Sequence, residues 1–167
     1  EPVDELQRRI AASILDRGES FEGTMKALDG RLYTFDTKNI ALVEKDAEGV
    51  IRRTALFDSI QQLVKEKTID IVVVDPTIRA HSGLDENSAE MQNLHNAADA
   101  IAVAGNCAVM LVHHIRKSSR GNVDDQSGVR GASALVDASR VTLMLANMTP
   151  EEAKEILPAE EQPHYAE

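Results

Sequence analysis

The stretch that decides the fold is residues 69–76, with the sequence IDIVVVDP. Its consecutive β-branched residues are typical of a parallel strand that is covered on both faces of a sheet. Proline cannot donate a hydrogen bond to a neighbouring strand, so we expect Pro76 to end the strand. The sequence therefore predicts a strand over residues 69–74 that presents Asp75 at its carboxyl end.

Helices and further strands are predicted downstream of this stretch. Residues 87–90, NSAE, offer an N-cap with an acidic residue three positions later, and they predict the start of a helix that runs to about Ala104. A strand follows over residues 108–113, and a helix over 132–138 leads to a last strand over 141–145. This alternation predicts an α/β fold with a mainly parallel sheet sandwiched by helices.

The upstream half of the chain predicts two helices separated by β structure. Apolar residues recur every three or four positions over residues 3–17, which predicts an amphipathic helix that ends near Gly18. Helical spacing returns over residues 57–66, directly before the deciding strand. Three runs between these helices favour β structure: 32–35, 40–43 and 50–56. The sequence DAEG at residues 46–49 predicts a turn that joins the last two runs into a hairpin or sheet edge.

Size and composition are those of one ordinary globular domain. The 167 residues carry a net charge of -10, so the chain as a whole has no attraction for a nucleic-acid backbone, and any such contact must come from the local basic patch at residues 113–130. No apolar stretch approaches the roughly 20 residues of a membrane-spanning helix, so we expect no membrane partner. The single cysteine, Cys107, lies in an apolar run, as expected for a core residue in the reducing cytoplasm.

Two predicted strand ends carry side chains suited to ligand chemistry. Ligands of open parallel sheets bind at the carboxyl ends of the strands, where Asp75 would meet solvent, a hydrogen-bond donor or a cation such as Mg²⁺. Alternatively, Asp75 only caps a turn. On the second strand, His113 and His114 must point to opposite faces, so one of them can enter a site. The functional interpretation is that His114 contacts a terminal phosphate or the hydrolytic water, whereas the spacing alone favours a hydrogen-bonded histidine pair near the core.

The basic residues allow more than one interpretation. Arg130 follows a loop rich in Gly and Ser, from which its guanidinium could reach a phosphate in a neighbouring subunit. Such an arginine is more often a solvated or salt-bridged surface residue, and the same applies to the other basic residues of this region: Arg116, Lys117 and Arg120. A metal hydrolase built on Asp75, His81 and His114 is a weaker alternative, because no metal-ligand spacing motif supports it.

Taken together, these segments resemble the RepA-like subgroup of RecA-type P-loop ATPases over nearly the whole chain. Four blocks carry the resemblance: EPVDELQRR at residues 1–9, IVVVDP at 71–76, DENSAEM at 85–91, and VHHIRK at 112–117 with VRGASALVDA at 129–138. The first is similar to an acidic-Pro block with its helix, and the second to a Walker B strand. The resemblance implies one partial RecA-like domain over residues 1–167, incomplete at both ends.

The resemblance also implies site residues and cofactors. Asp75 would hold the Mg²⁺ of MgATP through water, His114 would sense the γ-phosphate, and Arg130 would act as an arginine finger on the nucleotide of an adjacent subunit. Glu1 is a candidate for the catalytic glutamate of the family, or for the second acidic position beside it. A loop that faces a central channel and single-stranded DNA would carry the basic residues: Arg116, Lys117 and Arg120.

One departure from the family pattern is large. No Gly-x-x-x-x-Gly-Lys-Ser/Thr stretch occurs in the sequence, so the cradle for the β- and γ-phosphates is missing. The resemblance places that loop upstream of residue 1, and it predicts that this chain alone barely binds ATP. The implied function is a subunit of a hexameric ring that works as a replicative DNA helicase. A non-unwinding regulator or loader that binds nucleotide or a partner ATPase, and an inert scaffold fragment, are the alternatives.

Overall fold

The computed structural model describes residues 3–34, 41–85, 89–114, 133–143, 145 and 150–158. The helices in this part of the chain are α1 (Val3–Asp16), α2 (Phe21–Leu28), α3 (Ala55–Lys67), α4 (Met91–Gly105), α5 (Ser133–Ala138) and α6 (Pro150–Ile156). The strands are β1 (Val43–Lys45), β2 (Ile51–Arg53), β3 (Ile71–Val74), β4 (His81–Ser82) and β5 (Ala108–Leu111). A single turn of 3-10 helix, Thr77–Arg79, connects β3 to β4.

The described strands form two small sheets. One has the order β2-β1-β4, in which β1 is antiparallel to β2 and parallel to β4. The other consists of β3 and β5, which are parallel and paired from Ile71 with Ala108 to Val74 with Leu111. The α/β class and the parallel pairing of the two predicted central strands are thus confirmed. Two of the three pairings are parallel, as predicted, but the strands of the described residues lie in two sheets and not in one, because the hairpin pairs with β4 and not with β3 or β5.

The β1–β2 hairpin forms where the sequence predicts it, and Asp46 holds its turn together. Asp46 Oδ1 accepts hydrogen bonds from the amides of Glu48 at 3.1 Å and Val50 at 2.8 Å, while Oδ2 accepts one from Arg52 Nε at 3.2 Å. The Val50 amide and the Arg52 side chain lower the pKa of Asp46. Asp46 therefore acts as a structural carboxylate that fixes the hairpin register.

Helices α3 and α4 build most of the core. Thr54 caps the amino end of α3, where its side chain accepts a hydrogen bond from the Phe57 amide. α3 packs against α4, which buries Leu94 and Ile101 completely. The end of α4 lies where the sequence predicts it, because Asn106 adopts the left-handed conformation, with φ of 49°, that terminates a helix.

The beginning of α4 differs from the prediction. The helix starts at Met91, with Glu90 at the N-cap position, rather than at the NSAE stretch. Glu90 lies in the αR conformation and makes no side-chain cap, since its carboxylate is already bonded elsewhere. The capping pattern therefore predicted the presence of the helix but placed its start too early.

The two faces of the β3–β5 sheet are covered unequally. Val72 and Leu111 pack against the core formed with α3 and α4. On the opposite face, Ile71 is 57% exposed, Val73 56% and Met110 51%. Among the described residues, helices therefore pack against one face of β3, and the expectation that both faces are covered is not met there.

Several elements were missed or wrongly predicted. α2 and β4 were not predicted at all, although Ser20 caps α2 by accepting a hydrogen bond from the Gly23 amide at 3.2 Å. No strand forms at residues 141–143 or 145, where the alternating apolar side chains are exposed, nor at residues 32–34. Alternation alone does not make a strand, because a strand needs a neighbour to accept its backbone hydrogen bonds.

Candidate functional site

The candidate site lies at the carboxyl ends of β3 and β5. Because the two strands are parallel and in register, their carboxyl ends lie at the same edge of the sheet. The amide of Val112 donates to the carbonyl of Val74 at 2.9 Å, so the pairing continues one position beyond β5. Asp75 follows β3 directly, and His113 and His114 follow Val112.

Asp75 is exposed at this edge. Its carboxylate makes no hydrogen bond or ion pair with any residue that the structure describes. The peptide bond from Asp75 to Pro76 is cis. Pro76 ends the strand as predicted, and the carboxylate is left facing solvent, where a cation could bind it.

The two histidines differ in exposure. His113 is half-buried, whereas His114 is exposed. Side chains alternate between the two faces of a strand, and Val73 and Met110 lie on the outer face of the sheet. Asp75 lies two positions after Val73 and His114 four positions after Met110. The alternation therefore assigns Asp75 and His114 to this same face. Of the two histidines, His114 therefore has the position better suited to act together with Asp75.

Thr77 is a feature of the site that the sequence did not reveal. It is fully buried, at 0% exposure, and begins the 3-10 turn. Its backbone amide and its hydroxyl both donate to the carbonyl of Val112, each at 2.7 Å. No local sequence pattern predicts this contact, because it joins residues that follow two different strands.

A cleft of about 220 Å³ also adjoins Asp75 and was not predicted. It runs beside β3 and is lined by apolar side chains of α3 and by residues 31–33. Polar groups lie at its rim: Arg31, Tyr33, Asp75 and Arg79. Asp75 therefore belongs both to the strand edge and to a neighbouring concave surface.

A family model described as AAA domain matches residues 1–120. The chain belongs to the AAA domain family. No solved structure matches it significantly. The family is one of AAA-type P-loop ATPases, so an ATPase-type domain is the coarse assignment that the match supports. The matched part of this AAA domain includes Asp75 and His114 but not Arg130.

Magnesium and ATP are the ligands that AAA-type ATPases generally use. No cluster of three His, Cys, Asp or Glu side chains that could hold a metal ion occurs within the described residues. This excludes the grouping of Asp75, His81 and His114 that a metal hydrolase would need, since all three are described and His81 lies in the other sheet. One exposed carboxylate does suit Mg²⁺, which commonly binds one or two carboxylates together with water and phosphate oxygens.

Several predicted site residues lie outside the described part of the AAA domain. These are Glu1, Arg116, Lys117, Arg120 and Arg130. Their roles in catalysis, in trans action on a neighbouring subunit and in DNA binding stay predictions. Within the part of the chain that the structure describes, no helix is long and apolar enough to cross a bilayer.

A second polar cluster has a structural role. Lys45 of β1 contacts Glu90 Oε1 at 2.5 Å, and Glu90 Oε2 accepts the Asp85 amide at 3.0 Å. The Lys45 hydrogen bond, followed by the Asp85 amide, lowers the pKa of Glu90. This cluster joins the hairpin to the start of α4, so its carboxylate is already satisfied and differs from that of Asp75.

The cysteine fits the core role predicted for it. Cys107 is half-buried beside the core, and its Sγ lies 3.8 Å from the carbonyl oxygen of Ile101. Burial raises the pKa of its thiol, which keeps the group protonated and poorly reactive at neutral pH.

Proposed function

We propose that this AAA domain is part of a nucleic-acid-dependent ATPase, a RepA-like replicative helicase subunit that hydrolyses ATP at subunit interfaces in a ring. The observation that carries the proposal is the emergence of Asp75 and His114 from the adjacent carboxyl ends of β3 and β5. In parallel α/β sheets this edge is where ligands bind. The family match supports the ATPase part of the proposal.

Asp75 would bind the water ligands of the magnesium ion, since its carboxylate is exposed and makes no bond to a described side chain. His114 would donate a hydrogen bond to the terminal phosphate from the neighbouring strand end. When bound, MgATP supplies the phosphoryl group that is transferred to water, and the ion neutralises the negative charge that develops during transfer. Asp75 and His114 would thus hold the magnesium ion and the terminal phosphate in place at one edge of the sheet.

The remaining roles rest on the resemblance of the sequence. Arg130 would reach the nucleotide of an adjacent subunit, where an arginine finger contributes about 10³-fold or more in rate. Glu1 would act at or beside the position of the catalytic glutamate. Single-stranded DNA in the channel of a hexamer would contact the basic residues Arg116, Lys117 and Arg120.

The first prediction compares two aspartates that flank β3. In the full-length protein, we expect Asp75→Asn to lower kcat for ATP hydrolysis about 100-fold or more, because the amide no longer attracts the cation. Asp70→Asn is the matched control, since Asp70 is also exposed but precedes the strand at its opposite end. We expect it to change kcat less than twofold, roughly, as a surface substitution away from the site.

Steady-state ATPase assays over a range of Mg²⁺ concentrations measure both variants. Equal rates for Asp75→Asn and the unmodified protein would remove Asp75 from the site. Strand displacement with a tailed DNA duplex then separates the helicase from the non-unwinding regulator or loader. ATP hydrolysis without strand displacement would favour the regulator.

A further inference from the structure

Thr77 stands out because it is a polar side chain in a fully buried position. It is the one polar residue that is buried among those the structure describes, with 0% exposure. A buried hydroxyl without a partner is costly, but this hydroxyl donates to the carbonyl of Val112 at 2.7 Å. Its position in the molecule is thus fixed by one specific acceptor.

That acceptor lies on the strand end that leads to His114. The Val112 amide donates to the Val74 carbonyl, and the Val112 carbonyl accepts from the Thr77 amide. Val112 is therefore hydrogen-bonded to Val74 and to Thr77, which flank the Asp75-Pro76 pair. These two backbone bonds close a ring that contains Asp75, and His114 follows only two positions after Val112.

The hydroxyl adds a second donor to one oxygen. A carbonyl oxygen has two lone pairs, and here the amide and the hydroxyl of Thr77 occupy both. Without the hydroxyl, a single bond would hold the carbonyl, and the peptide that follows Val112 could rotate more easily. That peptide determines where His113 and His114 point.

We propose that Thr77 is a positioning residue, whose hydroxyl holds the strand end that carries His114 in a fixed geometry relative to Asp75. The inference rests on the proposed function for its effect on ATP hydrolysis, but its structural part does not depend on it. Thr77 touches neither the phosphate nor the cation in this scheme. It acts only through Val112.

The test uses two conservative replacements, one that removes the hydroxyl and one that removes the methyl group. Thr77→Val keeps the shape of the side chain and the backbone amide but removes the hydroxyl, whereas Thr77→Ser keeps the hydroxyl. In this chain, we expect Thr77→Val to move the NMR signals of the His113 and His114 amides and of the His114 ring by more than their linewidths. Thr77→Ser should leave them close to their original positions, and the ring signals of His95 on α4 serve as the control.

In the full-length protein, we expect Thr77→Val to lower kcat about 10- to 100-fold, because small misplacements of catalytic groups have effects of this size. KM for MgATP should stay within about twofold, since no group that binds the nucleotide is removed. Thr77→Ser should recover most of the lost rate. A purely structural role would instead lower the melting temperature of both variants without this split between kcat and KM.

Unchanged His114 signals in a folded Thr77→Val variant would overturn the inference, whatever the ATPase rate. Displaced signals with an unaltered kcat would overturn the role of Thr77 in catalysis. An unmodified protein without ATPase activity would contradict the proposed function instead, and the NMR comparison would still decide the structural part. If Thr77→Val does not fold, Thr77→Ala provides the same loss of the hydroxyl with a smaller side chain that places no methyl group against the Val112 carbonyl.

Discussion

The two faces of the β3–β5 sheet have similar sequences but different surroundings. Val72 and Val74 pack against the core, whereas Ile71 and Val73, the residues beside them, are more than half exposed. Alternate members of one β-branched run therefore experience opposite environments. Such a run therefore predicts a strand, while the elements that pack against the sheet determine how many of its faces are covered.

The largest effect is expected on the covered side, at the contact between α4 and α3. A Cβ atom added at Gly105 would lie 2.7 Å from Val64 Cβ and 2.9 Å from Val64 Cγ2. Overpacking costs about 1–3 kcal/mol, and the better helix propensity of alanine recovers about 0.5–1 kcal/mol. We expect Gly105→Ala to lower the free energy of unfolding by about 1–2 kcal/mol, measured by urea denaturation.

The control for this prediction is a double variant. In a Val64→Ala background the contact with Cγ2 is gone while the contact with Cβ stays, so Gly105→Ala should be less destabilising there than it is beside valine. A neutral or stabilising effect of Gly105→Ala in the unmodified chain would show that the two helices are not in such close contact.

A smaller effect should distinguish the two faces directly. Val72→Thr places a hydroxyl on the core side, which costs about 1 kcal/mol or more when the group lacks a partner. Val73→Thr has the same chemical change on the exposed side, so we expect its effect to stay within about 0.5 kcal/mol. Thermal and urea unfolding of the two variants compare adjacent residues of one strand. Equal losses of stability would mean that another element covers the outer face in solution.

The smallest effect concerns the polar cluster that holds the start of α4. The pKa of Glu90 is lowered in the folded protein, so its ion pair with Lys45 stabilises the fold at pH values above the ordinary carboxyl pKa of about 4.3. That stability is lost as the pH falls through the lower, folded pKa. We expect Glu90→Gln to be less stable than the unmodified chain at pH 7 and to approach it below pH of about 4.

Urea midpoints at several pH values between neutral and strongly acidic measure this convergence. Glu48→Gln, on the exposed hairpin turn, is the matched control and should follow the unmodified chain throughout. A constant difference between Glu90→Gln and the unmodified chain at all pH values would argue against the ion pair as its cause.

The sequence predicted elements well where local chemistry decides them. β3 follows from its β-branched run, the hairpin from the turn at Asp46, and the end of α4 from Asn106. The Ser20 cap is a local signal for α2, but the helix is short and buries no residue, so its sequence lacks the apolar periodicity of a packed helix. The apolar alternation predicted a strand that does not form at residues 141–143 or 145, because strand pairing depends on distant residues.

The candidate site could be predicted only in part from the sequence. Asp75 could be placed at a strand end because Pro76 marks where the strand stops, and its closeness to β5 followed from the parallel arrangement. The contact of Thr77 with Val112 and the cleft beside β3 depend on how separate segments meet in space. Contacts between distant segments of this kind leave no pattern in the spacing of residues along the chain.

The position of β4 has a consequence for the order of folding. β1 pairs with β2 across the five residues 46–50, a local event of the kind that takes about 1–10 μs. Its other neighbour, β4, arrives only after the chain has passed through α3 and β3. Closing that longer loop is entropically more demanding, so the hairpin is expected to form early and to serve as a template to which β4 is added late.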